Sequence, residues 1–274
     1  MNTVSYEDFV GDTYPLKKGI LVTIFSKISP HVEGPAPKGI KGERKLQTTT
    51  QNDIDAEYLV KLFKEVHHQE TAEVKIYNHQ TKDDVTKYIQ ELDSSQGSSD
   101  YDVFIFVFLT YMSKPTKNTK YRDERIHLKG GMYSMEDFYN VAKKSAVMRM
   151  KPKIFLVQSD DLSLCIEKEI VAGPELVIEK KIPQDADRLI IMSDIPQKLA
   201  NPDKNSEEKH PSFMIKAFGE TLMENSKLAP EKRLDLLSLT PLMNQKVKNK
   251  IDEIKREDLS VPLVTSTLTK LIRI

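Results

Sequence analysis

The sequence predicts an α/β protein, a central and mostly parallel sheet with helices on both faces. Three observations predict it. The runs 20–25 (ILVTIF), 103–109 (VFIFVFL) and 153–157 (KIFLV) are short and nearly unbroken apolar stretches, as strands covered on both faces are. Segments with helical periodicity separate them, and a strand–helix–strand order favours parallel pairing through right-handed crossovers. Turn and capping residues fall at the seams between these segments.

The elements follow in order. Strand 20–25 leads into a loop rich in Pro and Gly over 29–42. Asn52 or Asp53 can cap a helix whose apolar face carries Ile54, Leu59, Leu62, Phe63 and Val66. Residues 73–77 form a strand. Thr81 caps the next helix, with Val85, Ile89 and Leu92 on one face. After strand 103–109, Lys129-Gly130-Gly131 predicts a hairpin turn. Ser134-Met135-Glu136-Asp137 opens a helix in the manner of a capping box. Strand 153–157 follows. The pattern weakens over 162–184, broken by Gly173-Pro174, and predicts a linker. The second half has a strand at 188–192, a polar loop at 201–209 and a helix from Pro211 to about Lys227. A further helix begins at Thr240-Pro241, with Thr as N-cap and Pro in first position, and a last strand spans 262–267.

Composition narrows the function classes. With 41 basic and 41 acidic residues the net charge is zero, so no global field favours nucleic acid or an anionic membrane. No apolar run approaches the ~18 residues of a membrane span, and the acidic N-terminus lacks the apolar core of a signal peptide. The one cysteine, Cys165, forbids an intrachain disulfide, which fits a cytoplasmic location. No Cys/His cluster suggests zinc, no third carboxylate accompanies Asp160-Asp161 at a metal-binding spacing, and no cofactor motif is present.

The richest stretch is the end of the third apolar strand, where 153–157 becomes Gln158-Ser159-Asp160-Asp161. In open α/β sheets, sites lie at the carboxyl ends of strands. Taken alone, the Asp pair is an ordinary strand-end cap. Its surroundings say more. Lys17-Lys18-Gly19-Ile20-Leu21, Asp53-Ile54-Asp55-Ala56, the 103–109 strand with Thr110-Tyr111-Met112, 181–187 (KIPQDAD), Pro211-Ser212-Phe213-Met214-Ile215 and 261–270 (VPLVTSTLTK) follow one another as six blocks. Together with the 151–158 strand they resemble the caspase family of cysteine peptidases, over about residues 17–274. The resemblance implies a caspase-like fold. It divides the chain into a short N-terminal segment (1–16), a large-subunit-like portion (17–165), a linker (166–181) and a small-subunit-like portion (182–274).

The resemblance also implies where catalysis would sit. The family strand ends in Gln-Ala-Cys, and the cysteine position here is Asp160. Counting back about 50 positions, the family's spacing, leads from there to Tyr111 in place of the histidine. A phenol with a pKa of about 10 is a poor base near neutrality, where an imidazole of about 6.5 is well matched. A carboxylate attacking an amide would give an anhydride that reverts, so Asp160 does not replace a thiolate. The glycine whose amide faces the oxyanion is Met112. Of the groups that hold a substrate aspartate, Gln158 is kept, while Thr49 and Ala200 stand where the family has arginines, the side chains suited to a carboxylate. The implied protein is a pseudoenzyme, a decoy-like caspase with no catalytic dyad. A rival reading is a hydrolase with a relocated nucleophile, Cys165 with His127. A third is a caspase-fold binding module for some other partner.

In the family the terminal strand pairs with its counterpart in a second protomer. Here Leu263, Thr265 and Thr267 share one face and Val264, Ser266 and Leu268 the other. The implied partner is an active caspase, or a second copy of this chain, and the implied role is regulation of apoptosis. Processing offers a test. Caspases are cut after aspartate in the linker, yet no Asp lies between Asp161 and Asp185. Protein isolated from its native cells is therefore expected to be uncut across 162–184 by mass spectrometry. Two fragments divided there would contradict this.

Overall fold

The computed structural model describes residues 12–26, 53–66, 72–78, 80–94, 100–112, 125–128, 131–161, 186–202 and 208–274. The 29–42 loop, Thr49, Cys165 and the 166–181 linker lie outside the described residues.

Eight strands and five helices are present among them. In chain order these are β1 (Ile20–Ser26), α1 (Ile54–Val66), β2 (Ala72–Asn78), α2 (Lys82–Ser94), β3 (Val103–Met112), β4 (Arg125–Leu128), β5 (Gly131–Ser134), α3 (Met135–Lys144), β6 (Lys153–Asp161), β7 (Arg188–Ser193), α4 (Phe213–Ser226), α5 (Leu236–Glu253) and β8 (Leu263–Ser266). The main sheet has the order β2-β1-β3-β6-β7-β8. All its pairs are parallel except β7 with β8. The expected class holds: a mostly parallel sheet covered on both faces. On one face Leu59 and Phe63 of α1, Phe218 of α4 and Val247 of α5 pack against Val22, Val107 and Leu156. On the other, Ile89 of α2 and Phe138 and Tyr139 of α3 pack against Phe104, Phe106, Phe108 and Phe155. No described helix is long and apolar enough to cross a membrane.

Local chemistry accounts for most helix starts. Asp53 accepts from the Asp55 amide (3.1 Å), Thr81 Oγ1 from the Asp84 amide (3.1 Å) and Ser134 Oγ from the Glu136 amide (3.2 Å). β4 pairs antiparallel with β5, as the expected hairpin requires, while Lys129 and Gly130 of its turn lie outside the described residues.

One expectation is corrected. Helix α5 does not begin at Thr240-Pro241. Its N-cap is Asp235, which accepts from the amides of Leu237 and Ser238, and Pro241 lies inside the helix. Proline has no N–H, so the carbonyl of Leu237 loses its normal helical donor. The Thr240 hydroxyl supplies the missing bond at 2.8 Å. Thr-Pro is thus an internal repair here and not a helix start, while Asp235 followed by Leu236 and Leu237 carries the true signal.

Two contacts between α1 and α4 help to join the halves of the chain. Asp55, fully buried at the start of α1, accepts from the Ser212 amide (2.6 Å) and hydroxyl (2.8 Å) just before α4. Further along the two helices, Gly219 of α4 lies under Tyr58 of α1, where an added Cβ would sit 2.5 Å from the phenol. Ala at position 219 should therefore cost roughly 1–3 kcal/mol by overpacking. The cost should vanish in a Tyr58→Ala background. A gain of about 1 kcal/mol in urea unfolding, as helix propensity alone would give, would contradict the packing account.

Candidate functional site

The parallel register of β3 and β6 places the two dyad positions opposite each other. Tyr111 and Asp160 are paired residues at the carboxyl ends of the two strands. Strand alternation puts Tyr111, Gln158 and Asp160 on the same face, the one covered by α1 and α4. The sequence-predicted positions thus come together at the sheet end where α/β sites lie.

The Asp160 and Gln158 side chains both bind the backbone of the segment that follows β7. Asp160 Oδ1 accepts the backbone N–H of Gln197 at 2.6 Å. Gln158 is fully buried, and its Nε2 donates to the Ile195 carbonyl at 2.8 Å. Ser159, on the opposite face, donates to the Ser193 carbonyl at 3.0 Å. Strand pairing between β6 and β7 ends at Gln158 and Ser193. Beyond that point three consecutive side chains of β6 continue the contact by gripping the backbone of residues 193, 195 and 197.

The segment they hold is a short 3-10 turn, Gln197–Leu199, that ends at Ala200. Leu199 and Ala200 pack against the helical core on the α1 and α4 face, so the second arginine position carries a methyl group turned to apolar surroundings. Asn201 then braces the loop. Its Nδ2 donates to the His210 carbonyl and its Oδ1 accepts the His210 amide, both at 2.7 Å. Sequence reading named Ala200 within Leu199-Ala200-Asn201-Pro202 but missed Gln197 and Ile195 and gave Asn201 no role. The Asn201-Pro202 pair was the available signal, because Asn with its side chain on the backbone is a common way to close a turn.

The remaining positions are simply placed. The Met112 backbone ends β3, opposite Asp161. Thr49 and Cys165 fall outside the described residues. His127 lies on β4, and its carbonyl accepts from the buried Thr110 hydroxyl at 2.6 Å. Among the described residues no group of three or more His, Cys, Asp or Glu side chains could hold a metal ion.

At the far edge of the sheet, β8 pairs antiparallel with β7 on one side, and among the described residues nothing pairs with its other side. Val264 and Leu268 pack on the helical core, while Leu263 is 41% exposed. Thr265 lies partly buried, opposite Ile190. Thr267 is engaged within the chain: its amide donates to the Arg188 carbonyl (2.8 Å) and its hydroxyl accepts the Arg188 amide (3.2 Å).

Sheet order, helices on both faces and paired strand ends together define a caspase-type α/β domain. The caspase-domain model of the peptidase C14 family matches residues 42–273, and the chain belongs to that family. A search of curated proteins found no match. Among solved structures, pro-sf-caspase-1 is similar with a TM-score of 0.66 and 20% identity, over 97% of this chain and 99% of that one. Caspase-1 from Spodoptera frugiperda is similar with a TM-score of 0.60 and 21% identity, over 96% and 93%. The fold class is therefore that of the caspases.

Burial pushes the His127 imidazole below its ordinary value. The unfolded chain then takes up a proton at about pH 6.5 while the folded chain still resists it. Stability is full above that pH and falls as pH drops towards the folded value. His127→Gln should flatten urea-unfolding stability between about pH 7.5 and 5.5 relative to the parent chain. An identical slope in both proteins would contradict the assignment.

Proposed function

We propose that this chain is a non-catalytic caspase homologue, acting in the cytoplasm, that regulates apoptosis by binding an active caspase through the β8 edge and altering its activity. The observation that carries the reading is the pair Tyr111–Asp160. Acyl transfer by a caspase needs a thiolate and an imidazole at those two strand ends. Here they carry a phenol and a carboxylate, and the carboxylate holds the Gln197 amide. The pocket adds to this: Ala200 brings no charge to a substrate aspartate, and the Gln158 amide nitrogen is bonded to the Ile195 carbonyl.

The two sheet edges favour β8 as the pairing surface. Edge strands are usually protected from pairing by charge. β2, at the opposite edge, carries Glu73 and Lys75, which form an ion pair of 3.1 Å. β8, Leu-Val-Thr-Ser, carries no charged residue and leaves its outer backbone groups unpaired by any described strand. A partner strand laid along β8 would continue the sheet, as subunits with a shared edge do. An active caspase and a second copy of this chain both present such a strand, and the loss of the dyad makes an active partner the functional choice.

Peptide hydrolysis tests the reading. The purified chain is expected to leave an Asp-ending peptide intact, and to change the turnover of that peptide by an executioner caspase from the same organism. Hydrolysis by the chain itself, abolished by Asp160→Ala, would overturn the non-catalytic claim. Unchanged caspase turnover across concentrations would overturn the regulatory one.

A further inference from the structure

The N-terminal residues 12–14 lie against the stretch that follows β8, far from them in sequence. Thr13 and Leu271 form a parallel bridge, with Tyr14 N–H donating to the Leu271 carbonyl (2.9 Å) and Leu271 N–H to the Asp12 carbonyl (2.8 Å). From the other side, Ile272 is fully buried in the helical core and its carbonyl accepts the Leu236 amide (2.7 Å) at the start of α5. The exit of β8 is thus held between the N-terminal segment and α5.

A side-chain network centred on Asp187 reinforces this hold. Asp187 sits in the left-handed region at φ 64°, which Asp tolerates better than most residues, and it is 3% exposed. Its amide donates to the Thr267 carbonyl (2.9 Å), and its carbonyl accepts the Lys153 amide (2.8 Å). Its carboxylate accepts from the Tyr14 hydroxyl and, at 2.5 Å, from the Thr269 hydroxyl. The Tyr14 oxygen in turn accepts the Thr269 amide at 3.2 Å. Tyr14 is buried, and desolvation together with the Asp187 carboxylate pushes its pKa up to about 12. The phenol therefore keeps its proton and donates throughout the neutral range.

We infer that residues 12–14 form a strap whose key, Tyr14 on Asp187, orders the exit of β8 and so sets the outer edge of the sheet. Three pieces of chain meet at this carboxylate: the strap, the start of β7 and the turn after β8. A donor lost from a buried carboxylate is expensive because the acceptor stays buried without it. The cost falls on the turn 267–271, since Thr267, Thr269 and Leu271 are all tied to the strap or to Asp187. The tyrosine is thus a positioning residue for the edge. The inference rests on the proposed pairing only for the use made of that edge.

Tyr14→Phe in the full chain keeps the ring and removes the hydroxyl. Amide hydrogen exchange, read residue by residue on the isolated protein, should accelerate at Thr267 and Leu271 by about 10-fold or more, the range for a bond to a charged group. Exchange in β3 and α2 should stay unchanged. Thr269→Val, which removes the second hydroxyl donor to Asp187, should move the same amides in the same direction. Unchanged exchange at Thr267 and Leu271 in both variants would overturn the strap. So would acceleration spread evenly over β3 and α2, which marks general destabilisation. Local acceleration in a protein whose parent chain binds no caspase would support the strap while removing the pairing reading.

Discussion

Parallel pairing of β3, β6 and β7, buried on both faces, is the constraint on which the rest of this molecule depends. The phenylalanines of β3 and β6, with Val157, fill one face and their other aliphatic residues the opposite one, so neither strand can slip by one position without exchanging its two cores. The register fixed in this way sets Tyr111 against Asp160 and brings Gln158 to the end of β7. The polar residues at the strand ends therefore have little freedom of placement. Their chemistry is decided by residue identity, and here Asp160 and Gln158 hold the backbone of the loop that follows β7.

The two halves of the chain are joined by contacts that do not pass through the linker. The buried Asp55 carboxylate receives two hydrogen bonds from Ser212, and Tyr58 covers Gly219, so α1 and α4 pack as one layer. At the opposite end of the sheet Asp187 gathers the strap, β7 and the turn after β8. Each is a buried carboxylate that neutral donors satisfy, which is how a buried anion becomes tolerable. The edge strand β8 pairs with β7 on its inner side, and among the described residues no strand pairs with its outer side.

Much of this was legible in the sequence because the responsible forces are local or periodic. Continuous apolar runs identified the central strands, and Asp53, Thr81 and Ser134 marked their helix starts through capping. Tyr111 and Asp160 could be named because spacing within a resemblance transfers to spacing within a sheet. What escaped depends on contacts between distant segments. Nothing near Gln197 in sequence announces that Asp160 will take its amide. Nothing in the acidic N-terminal segment announces that Tyr14 will meet Asp187, 173 positions away. The start of α5 was misplaced for a different reason. Thr-Pro is a strong start signal, but an apolar stripe that already ran from Leu236 outweighed it, and one hydroxyl sufficed to mend the gap.

The central claim is that the open edge at β8 is the surface that meets a partner, and amide exchange on mixing with an active caspase tests it most directly. The account predicts slowed exchange at Leu263–Ser266, with β2 at the opposite edge exchanging as it does in the isolated chain. Unaltered exchange at Leu263–Ser266 on addition of the caspase, or protection confined to β2, would contradict it.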